Sequence, residues 1–182
     1  MLVRHGPVAP DPSAPPASWP LDPAGRAAVR QLAGELREQD VARVITSPET
    51  KAFETGAILA RSLGVSLIQD ERLREVEMRT GFLPQDEFRR RITGYLAGAR
   101  DADFEPPGMA LGRVLSLVED LSDNAGTVAL VSHGRLLALL VGSLVPSQSP
   151  AAVWPAMRFP DWAVIDRYWR RSLRDFGIKP DR

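Results

Sequence analysis

Short apolar runs alternate with segments of helical periodicity along the first third of the chain. Residues 22–37 have helical spacing, 41–46 form an apolar run, a second helical segment extends to about Leu63, and 65–68 form another run. Strands that alternate with helices in this way favour a parallel sheet with helices on its faces. Residues 127–132 are nearly all apolar, which is typical of a central strand buried on both sides. We therefore predict an α/β fold, a three-layer α/β/α domain with a mostly parallel central sheet.

The amino-acid composition limits the classes of function that this chain can have. A length of 182 residues with 44% hydrophobic and 25% charged residues suits one globular domain with a sizeable core. Lys+Arg and Asp+Glu both number 23, and this balance argues against a nucleic-acid partner. The absence of cysteine excludes disulfides, thiolate metal sites and a cysteine nucleophile. We find no signal-peptide pattern and no apolar run of membrane-spanning length, so we expect no membrane association and a cytoplasmic location.

The chain has only two histidines, and each ends an apolar run and precedes a glycine, within 2–6 and 129–134. Glycine is expected to let the backbone turn sharply where each strand stops. A third strand ends at Thr46-Ser47, and Ser47-Pro48 is predicted to cap the helix that carries Lys51 one turn further on. In an open α/β sheet such strand ends and the following helix N-termini meet in one pocket. The residues expected there are Arg4, His5, Ser47, Lys51, His133 and Gly134. Two cations, two imidazoles and free backbone N–H groups suit a phosphoryl group.

Paired histidines also occur in metal sites. Zinc and iron sites usually need three or four ligands, and the chain has neither a cysteine nor a third histidine. Cations beside the histidines would repel a metal ion. We therefore predict no metal site.

Two segments interrupt the alternation. Residues 7–20 contain six prolines and are predicted to form an irregular loop over the mouth of the site. Trp19 and Leu21 are expected to pack this loop onto the body of the domain. Residues 71–108 are charge-dense at first, contain a predicted helix over 87–99 and end in three helix-breaking residues. The part from 76 to 108 is predicted to be an inserted cap or lid.

The two ends of the chain are less regular. Only three residues precede Arg4, so the first strand is expected to be shortened at its start. Residues 146–160 are predicted to be a loop around Trp154, 162–166 an edge strand, and the charged tail from 167 helical to about Phe176. The edge strand and the Trp154 loop allow a homodimer.

Four short motifs that contain the candidate site residues occur in order along the chain. They are Leu2-Val3-Arg4-His5-Gly6, Thr46-Ser47-Pro48 with Lys51-Ala52 and Thr55, Leu73-Arg74-Glu75, and Val131-Ser132-His133-Gly134. Their order and spacing resemble the phosphoglycerate mutase-like branch of the histidine phosphatase superfamily over nearly the whole chain. The resemblance implies one domain over 1–182, with 76–108 as its inserted cap.

The resemblance also implies residue roles. His5 would attack phosphorus and become a phosphohistidine, while Arg4, Lys51 and His133 would hold the phosphoryl oxygens. Glu75 would act as the general acid and then as the general base, with Glu77 as its substitute. Ser47 and Gly134 would neighbour the phosphate, and Arg79 would grip the far end of the substrate. No cofactor is implied.

The chain departs from the family pattern at two places that bear on activity. Lys51 stands where the family has its second arginine, and lysine lacks the planar fork that grips two oxygens at once. Pro7-Val8-Ala9 follows Gly6 in place of the usual specificity residues. We expect a phosphomonoesterase acting on a small phosphorylated substrate. The alternatives are a degenerate member that binds a phosphorylated ligand without efficient turnover, and a phosphoglycerate mutase-type phosphotransferase.

Overall fold

The computed structural model describes residues 1–81, 83–121, 126–166, 168 and 170–178. In this part of the chain, six strands form one sheet: β1 Leu2–Arg4, β2 Val41–Thr46, β3 Ser66–Gln69, β4 Thr127–Ser132, β5 Asp161–Asp166 and β6 Arg171–Arg174. Their order is β3-β2-β4-β1-β5-β6. The first four strands are mutually parallel, whereas β5 is antiparallel to β1 and β6 is antiparallel to β5. The mostly parallel sheet with a central β4 is confirmed.

The described residues also form six α-helices: α1 Pro23–Glu35, α2 Thr50–Leu63, α3 Gln85–Leu96, α4 Pro107–Asp120, α5 Gly134–Leu144 and α6 Pro150–Ala156. The carboxylate of Asp22 accepts a hydrogen bond from Gly25 N–H at the start of α1, as its sequence position predicts. Gly64 ends α2 in the left-handed conformation that favours glycine. None of these helices combines the length and the apolar character needed to cross a bilayer.

Side-chain alternation along the central strands builds the three layers. In β4, Val128 and Leu130 join one buried apolar cluster, while Ala129 and Val131 join another on the opposite face of the sheet. Helices α1 and α2 cover the second cluster, and α3 to α6 cover the first. Because successive strand side chains point to opposite faces, a run of apolar residues can serve both layers. This is the three-layer α/β/α arrangement predicted from the sequence.

Three predictions for the last quarter of the chain are wrong. Strand β5 is not an edge strand, because β6 pairs with its outer side. The described part of the tail therefore contains the strand Arg171–Arg174 in place of the predicted helix. Arg174 of β6 lies over the Trp162 ring at 3.9 Å, a cation–π contact that helps to hold the tail against β5. The predicted loop over 146–160 is interrupted by helix α6, which contains Trp154 and starts with Pro150 at its first position, where proline is favourable.

The segment 76–108 contains α3 and returns through an antiparallel bridge between Met78 and Phe104. Tyr95 stacks on Phe104 at 4.8 Å and donates to the carbonyl of Glu105 at 2.9 Å. The buried side chains of this segment join the apolar cluster that α4 and α5 also cover. The helix starts two residues before its predicted position, and the role of the segment as a cap stays a prediction.

The proline loop is closed at its base by a bridge between Val8 and Leu21. Leu21 is buried and packs the loop onto the body, as predicted. Trp19 instead donates from Nε1 to the Asp11 carbonyl at 2.9 Å, a bond within the loop itself.

Candidate active site

The carboxyl ends of β1, β2 and β4 place the predicted site residues side by side. Arg4 pairs in register with Ser132, and His5 N–H donates to the Ser132 carbonyl at 3.1 Å. Ser47 N–H donates to the Val131 carbonyl at 2.9 Å. As a result the rings of His5 and His133, 128 positions apart in sequence, have centroids 5.2 Å apart.

The hydrogen bond of His5 fixes its tautomer. Its Nδ1 lies 2.8 Å from the Gly6 carbonyl, which only accepts, so Nδ1 carries the proton and Nε2 holds the lone pair. Burial, followed by the nearby His133 and the cations Arg4 and Lys51, keeps the pKa of His5 well below its usual value. The imidazole is therefore neutral at pH 7, the state in which it can act as a nucleophile.

His133 is fully buried, and burial lowers its pKa to about 3. Its Nε2 lies 2.8 Å from the Ser47 hydroxyl. Its Nδ1 is buried without a hydrogen-bond partner within the described part of the chain. Buried polar atoms nearly always have a partner, so this nitrogen has hydrogen-bonding capacity left for a bound ligand.

The guanidinium of Arg4 is buried between an aromatic ring and a helix N-terminus. Its Nη1 donates to the Met157 carbonyl at 3.0 Å, and its Cζ lies 3.4 Å from the centre of the Phe159 ring. Burial lowers the pKa of Arg4 to about 10, which leaves it charged at neutral pH. Its Nε has no hydrogen-bond partner among the described residues. The Phe159 ring also lies 5.3 Å from the His5 ring, a neighbour that no sequence pattern indicated.

The two glycines after the histidines are needed for space and not for an unusual turn. The backbone at Gly6 and Gly134 does not adopt positive φ. A methyl group at Gly6 would lie 2.9 Å from Cγ2 of Val29, and one at Gly134 would lie 3.0 Å from Nη2 of Arg4. Gly134 thus makes room for the Arg4 guanidinium at the start of α5.

Lys51 is held by two oxygens. Its Nζ lies 2.7 Å from Oε2 of Glu49 and 2.7 Å from the carbonyl of Pro16 in the proline loop. The loop therefore reaches Lys51, and its position over the mouth of the site stays a prediction. Glu49 was missed by the sequence analysis, although an acidic residue between Ser47 and Lys51 was the available signal.

The predicted cap at Ser47-Pro48 is wrong, because α2 begins at Thr50 and Glu49 is its N-cap position. Pro48 and Glu49 form a turn before the helix, and this turn directs Ser47 toward His133. The same turn places Oε1 of Glu49 2.7 Å from Glu75 N and 3.6 Å from Nε2 of His133.

The carboxylate of Glu75 is fixed by backbone donors. It accepts from Val76 N–H at 2.9 Å and, at the start of α5, from Leu136 N–H at 3.0 Å and Arg135 N–H at 3.3 Å. Burial alone would raise the pKa of Glu75, but the charge of Arg135, together with the neighbouring His133 and the Val76 N–H, holds it below its usual value. Glu75 is therefore ionised at neutral pH.

Arg79 lies outside this network. Its side chain is exposed and pairs with Glu77 at 3.5 Å, and its backbone N–H donates to the Asp103 carbonyl. The predicted contact of Arg79 with the far end of a substrate stays a prediction. Within the described part of the chain, no group of three or more His, Asp or Glu side chains is arranged to hold a metal ion.

Comparison with known proteins adds an independent finding. The model of the histidine phosphatase superfamily, branch 1, matches residues 1–165. The chain belongs to this superfamily. Among curated superfamily relatives, the "Probable phosphoglycerate mutase GpmB" of Yersinia enterocolitica is 30% identical over 159 residues, covering 79% of this chain and 73% of the relative. The protein of that name from Yersinia pestis (strain Pestoides F) is 29% identical over 137 residues, and the match spans 69% of this chain and 63% of the relative.

Solved structures share the superfamily fold. A mycobacterial glucosyl-3-phosphoglycerate phosphatase in complex with inorganic phosphate superposes with a TM-score of 0.71 at 21% identity, over 97% of this chain and 95% of the other. Bacillus stearothermophilus YhfR also gives a TM-score of 0.71, at 23% identity over 91% and 90% of the two chains. At these identities the likeness shows the fold alone.

Proposed function

We propose that this chain is a phosphomonoesterase that works through a phosphohistidine on His5. The observation that carries the proposal is the state of this imidazole, which is neutral, tied at Nδ1 to the Gly6 carbonyl and left with a lone pair on Nε2. Arg4 and Lys51 lie close enough to lower the pKa of His5, so cations surround the nucleophile. That combination suits attack on a phosphoryl group, where charge stabilisation supplies most of the catalysis.

The proposed reaction has two halves. Nε2 of His5 attacks phosphorus, the N–P bond forms, and the ester P–O bond breaks, while Arg4, Lys51 and His133 hold the phosphoryl oxygens. Water then attacks phosphorus, the N–P bond breaks, and phosphate leaves. The family resemblance implies Glu75 as the acid of the first half and the base of the second. Its ionised carboxylate supports the base role, which is to accept the proton of the attacking water.

The test uses the fact that the chain has only two histidines. A monoester labelled in its phosphoryl group is mixed with the protein and quenched in alkali, which preserves phosphohistidine. We expect an acid-labile label in the wild-type protein and none in His5→Ala. His133→Asn is the matched control, since it should slow labelling but keep the label on His5. Hydrolysis by His5→Ala at the wild-type rate would refute the proposal.

A degenerate binding protein is the second candidate, because Lys51 is already engaged by Glu49 and by the Pro16 carbonyl. In that case inorganic phosphate should raise the melting temperature through binding to the folded state. A panel of monoesters should then release no free phosphate.

A mutase is the third candidate, and the name of the curated relatives supports it. A mutase should need priming by a bisphosphate and should yield an isomer in place of free phosphate. Product analysis by phosphorus NMR, with and without the primer, separates the two activities.

The proposed partner is a small phosphorylated substrate. We propose that the cap over 76–108 and the proline loop select it. The cytoplasmic location, the lack of nucleic-acid and membrane partners and the possible homodimer stay predictions.

A further inference from the structure

Glu75, the proposed acid and base of the site, lies on a stretch of chain without regular structure. A short 3₁₀ helix covers Glu71–Leu73, and residues 74–77 belong to neither a helix nor a strand. N–H groups at the start of α5 fix the carboxylate of Glu75, but its main chain needs partners of its own. Backbone carbonyls outside regular structure must find donors elsewhere. The donors that hold this segment therefore decide where the carboxylate lies.

Arg113, on helix α4, supplies these donors. Its Nη1 donates to the carbonyls of Arg72 and Arg74, each at 2.7 Å. Its Nη2 donates to the carbonyl of Glu75 at 3.2 Å. A guanidinium presents five N–H donors in a rigid planar fork, so this one side chain can hold three carbonyls in a set arrangement. The Arg113 side chain is only 11% exposed, which shields these bonds from competing water.

The carboxylate of Glu105 fixes the guanidinium in turn. Its Oε1 lies 3.0 Å from Nε of Arg113 and its Oε2 lies 2.9 Å from Nη2, which makes a bidentate pair. Burial alone would raise the pKa of Glu105, but the hydrogen bond from Arg113 holds it below its usual value, so the carboxylate is ionised at neutral pH. Oε2 of Glu105 also accepts from Glu77 N–H at 3.3 Å. The pair therefore holds the chain on both sides of Glu75.

On the basis of the proposed phosphatase function, we propose that Arg113, held by Glu105, is the positioning residue of Glu75. The hydrogen bonds of Arg113 go to main-chain carbonyls and to one carboxylate, so it acts through Glu75 and not on the phosphoryl group. Without the fork, residues 74–77 would shift, and the Glu75 carboxylate would shift with them. A displacement of about 1 Å in a reacting group can cost about 100-fold in rate.

Arg113→Lys is the informative variant. Lysine keeps a positive charge beside Glu105, so it does not leave a buried carboxylate without a counter-charge. Its three donors share one nitrogen and cannot span three carbonyls and a carboxylate. With phenyl phosphate as the substrate, kcat should fall by about 10- to 100-fold. The inhibition constant of inorganic phosphate should change by less than about twofold, because the proposed phosphate ligands lie on β1, on α2 and at the end of β4.

A double-mutant cycle separates positioning from a general loss of structure. In the Glu75→Gln background the carboxylate that Arg113 positions is gone, so Arg113→Lys should lower kcat by less than about twofold more. A merely structural defect would cost the same factor in both backgrounds. Glu105→Gln is the second variant, since it keeps the shape and one oxygen acceptor but loses the charge. It should lower kcat by a smaller factor, with the same dependence on Glu75.

Arg26→Lys is the matched control. Arg26 forms another bidentate pair, with Glu54, which joins α1 to α2 on the face of the sheet opposite α4. This pair touches no carbonyl of the Glu75 segment, so kcat should stay at the wild-type value. Thermal melting of every variant confirms that it is folded, and the kinetics are measured well below the lowest melting temperature.

Several outcomes would overturn the proposal. Arg113→Lys could keep the wild-type kcat, or its loss could be equal in the wild-type and Glu75→Gln backgrounds. A raised inhibition constant at unchanged kcat would make Arg113 a contributor to binding. Wild-type activity in Glu75→Gln would remove the role of Glu75 and this assignment with it. In all these cases the label would still form on His5, and the proposed function would stand. Absence of hydrolysis and of labelling in the wild-type protein would refute both.

Discussion

Acidification is expected to destabilise the protein through His133. In the folded protein this fully buried imidazole has a pKa of about 3, whereas in the unfolded chain it has the ordinary value of about 6.5. Between these two pKa values, His133 binds a proton in the unfolded state but not in the folded state. Stability falls as the pH drops below about 6.5, and it continues to fall until the folded pKa is reached. Between pH 7.5 and 5 the free energy of unfolding should decrease by roughly 2 kcal/mol from this residue alone.

The assay is urea unfolding of the wild-type protein and of His133→Asn at several pH values from 7.5 to 5. Asparagine keeps a polar group beside Ser47 but does not titrate. Buffers must contain neither phosphate nor sulfate, because an anion bound to the folded state would add its own stability. We expect the wild-type protein to lose about 2 kcal/mol more than the variant over this range.

Other groups titrate in the same window, and the comparison removes them. His5 is buried and neutral and contributes with the same sign, and burial also lowers the pKa of the Met1 amino group to about 6. Met1 is unaffected by the substitution, and its contribution cancels in the difference. His5 stays buried in the variant, and burial is the largest cause of its lowered pKa, so its contribution keeps its sign in both proteins. Parallel stability curves for wild type and His133→Asn would refute the argument that His133 is held neutral by burial.

Three further predictions concern the site and the core. Phe159→Ala removes the ring stacked on Arg4, and the inhibition constant of inorganic phosphate should rise by about 2- to 30-fold, since a cation–π contact is worth about 0.5–2 kcal/mol. Lys51→Arg adds a planar fork, and the inhibition constant should fall, because two oxygens can then be held at once. Leu137→Ala leaves a cavity at a fully buried position of α5, and urea unfolding should report a loss of about 2–5 kcal/mol.

Each has a control. Phe53 is 37% exposed and Phe159 is 44% exposed, so Phe53→Ala is a matched loss of a half-exposed ring and should leave phosphate inhibition unchanged. If Lys51→Arg weakens phosphate binding, the turn that holds Glu49 does not admit the larger head group. For Leu137→Ala, an exposed leucine provides the comparison: Leu173→Ala should cost much less, and equal losses would contradict the burial argument.

The sheet and its covering helices followed from the sequence because their signals are local. The run 127–132 is apolar on both faces, and Asp22-Pro23 and Gly64 mark helix ends by their own chemistry. Strand β6 gave no such signal. Its four residues alternate between exposed and half-buried, and what holds them is long-range: the pairing with β5 and the contact of Arg174 with Trp162.

The site was predictable where it follows from strand ends. His5, Ser47 and His133 come together because β1, β2 and β4 are parallel neighbours. Glu49 was missed since its role depends on where α2 begins, three residues after Ser47, and a shift of that start would turn its carboxylate elsewhere. Phe159 was missed because it reaches Arg4 only through the path of the chain between α6 and β5.

The bond between Lys51 and the proline loop has a consequence for how this protein can change. The acceptor on the loop is the main-chain carbonyl of Pro16, and every residue type at that position would offer the same oxygen. Side chains at the tip of the loop can therefore be exchanged while the bond to Lys51, a proposed phosphate ligand, is kept. A library restricted to positions 15, 17 and 18, which line a cleft beside this loop, would vary the proposed substrate selectivity without altering the residues proposed to carry the chemistry.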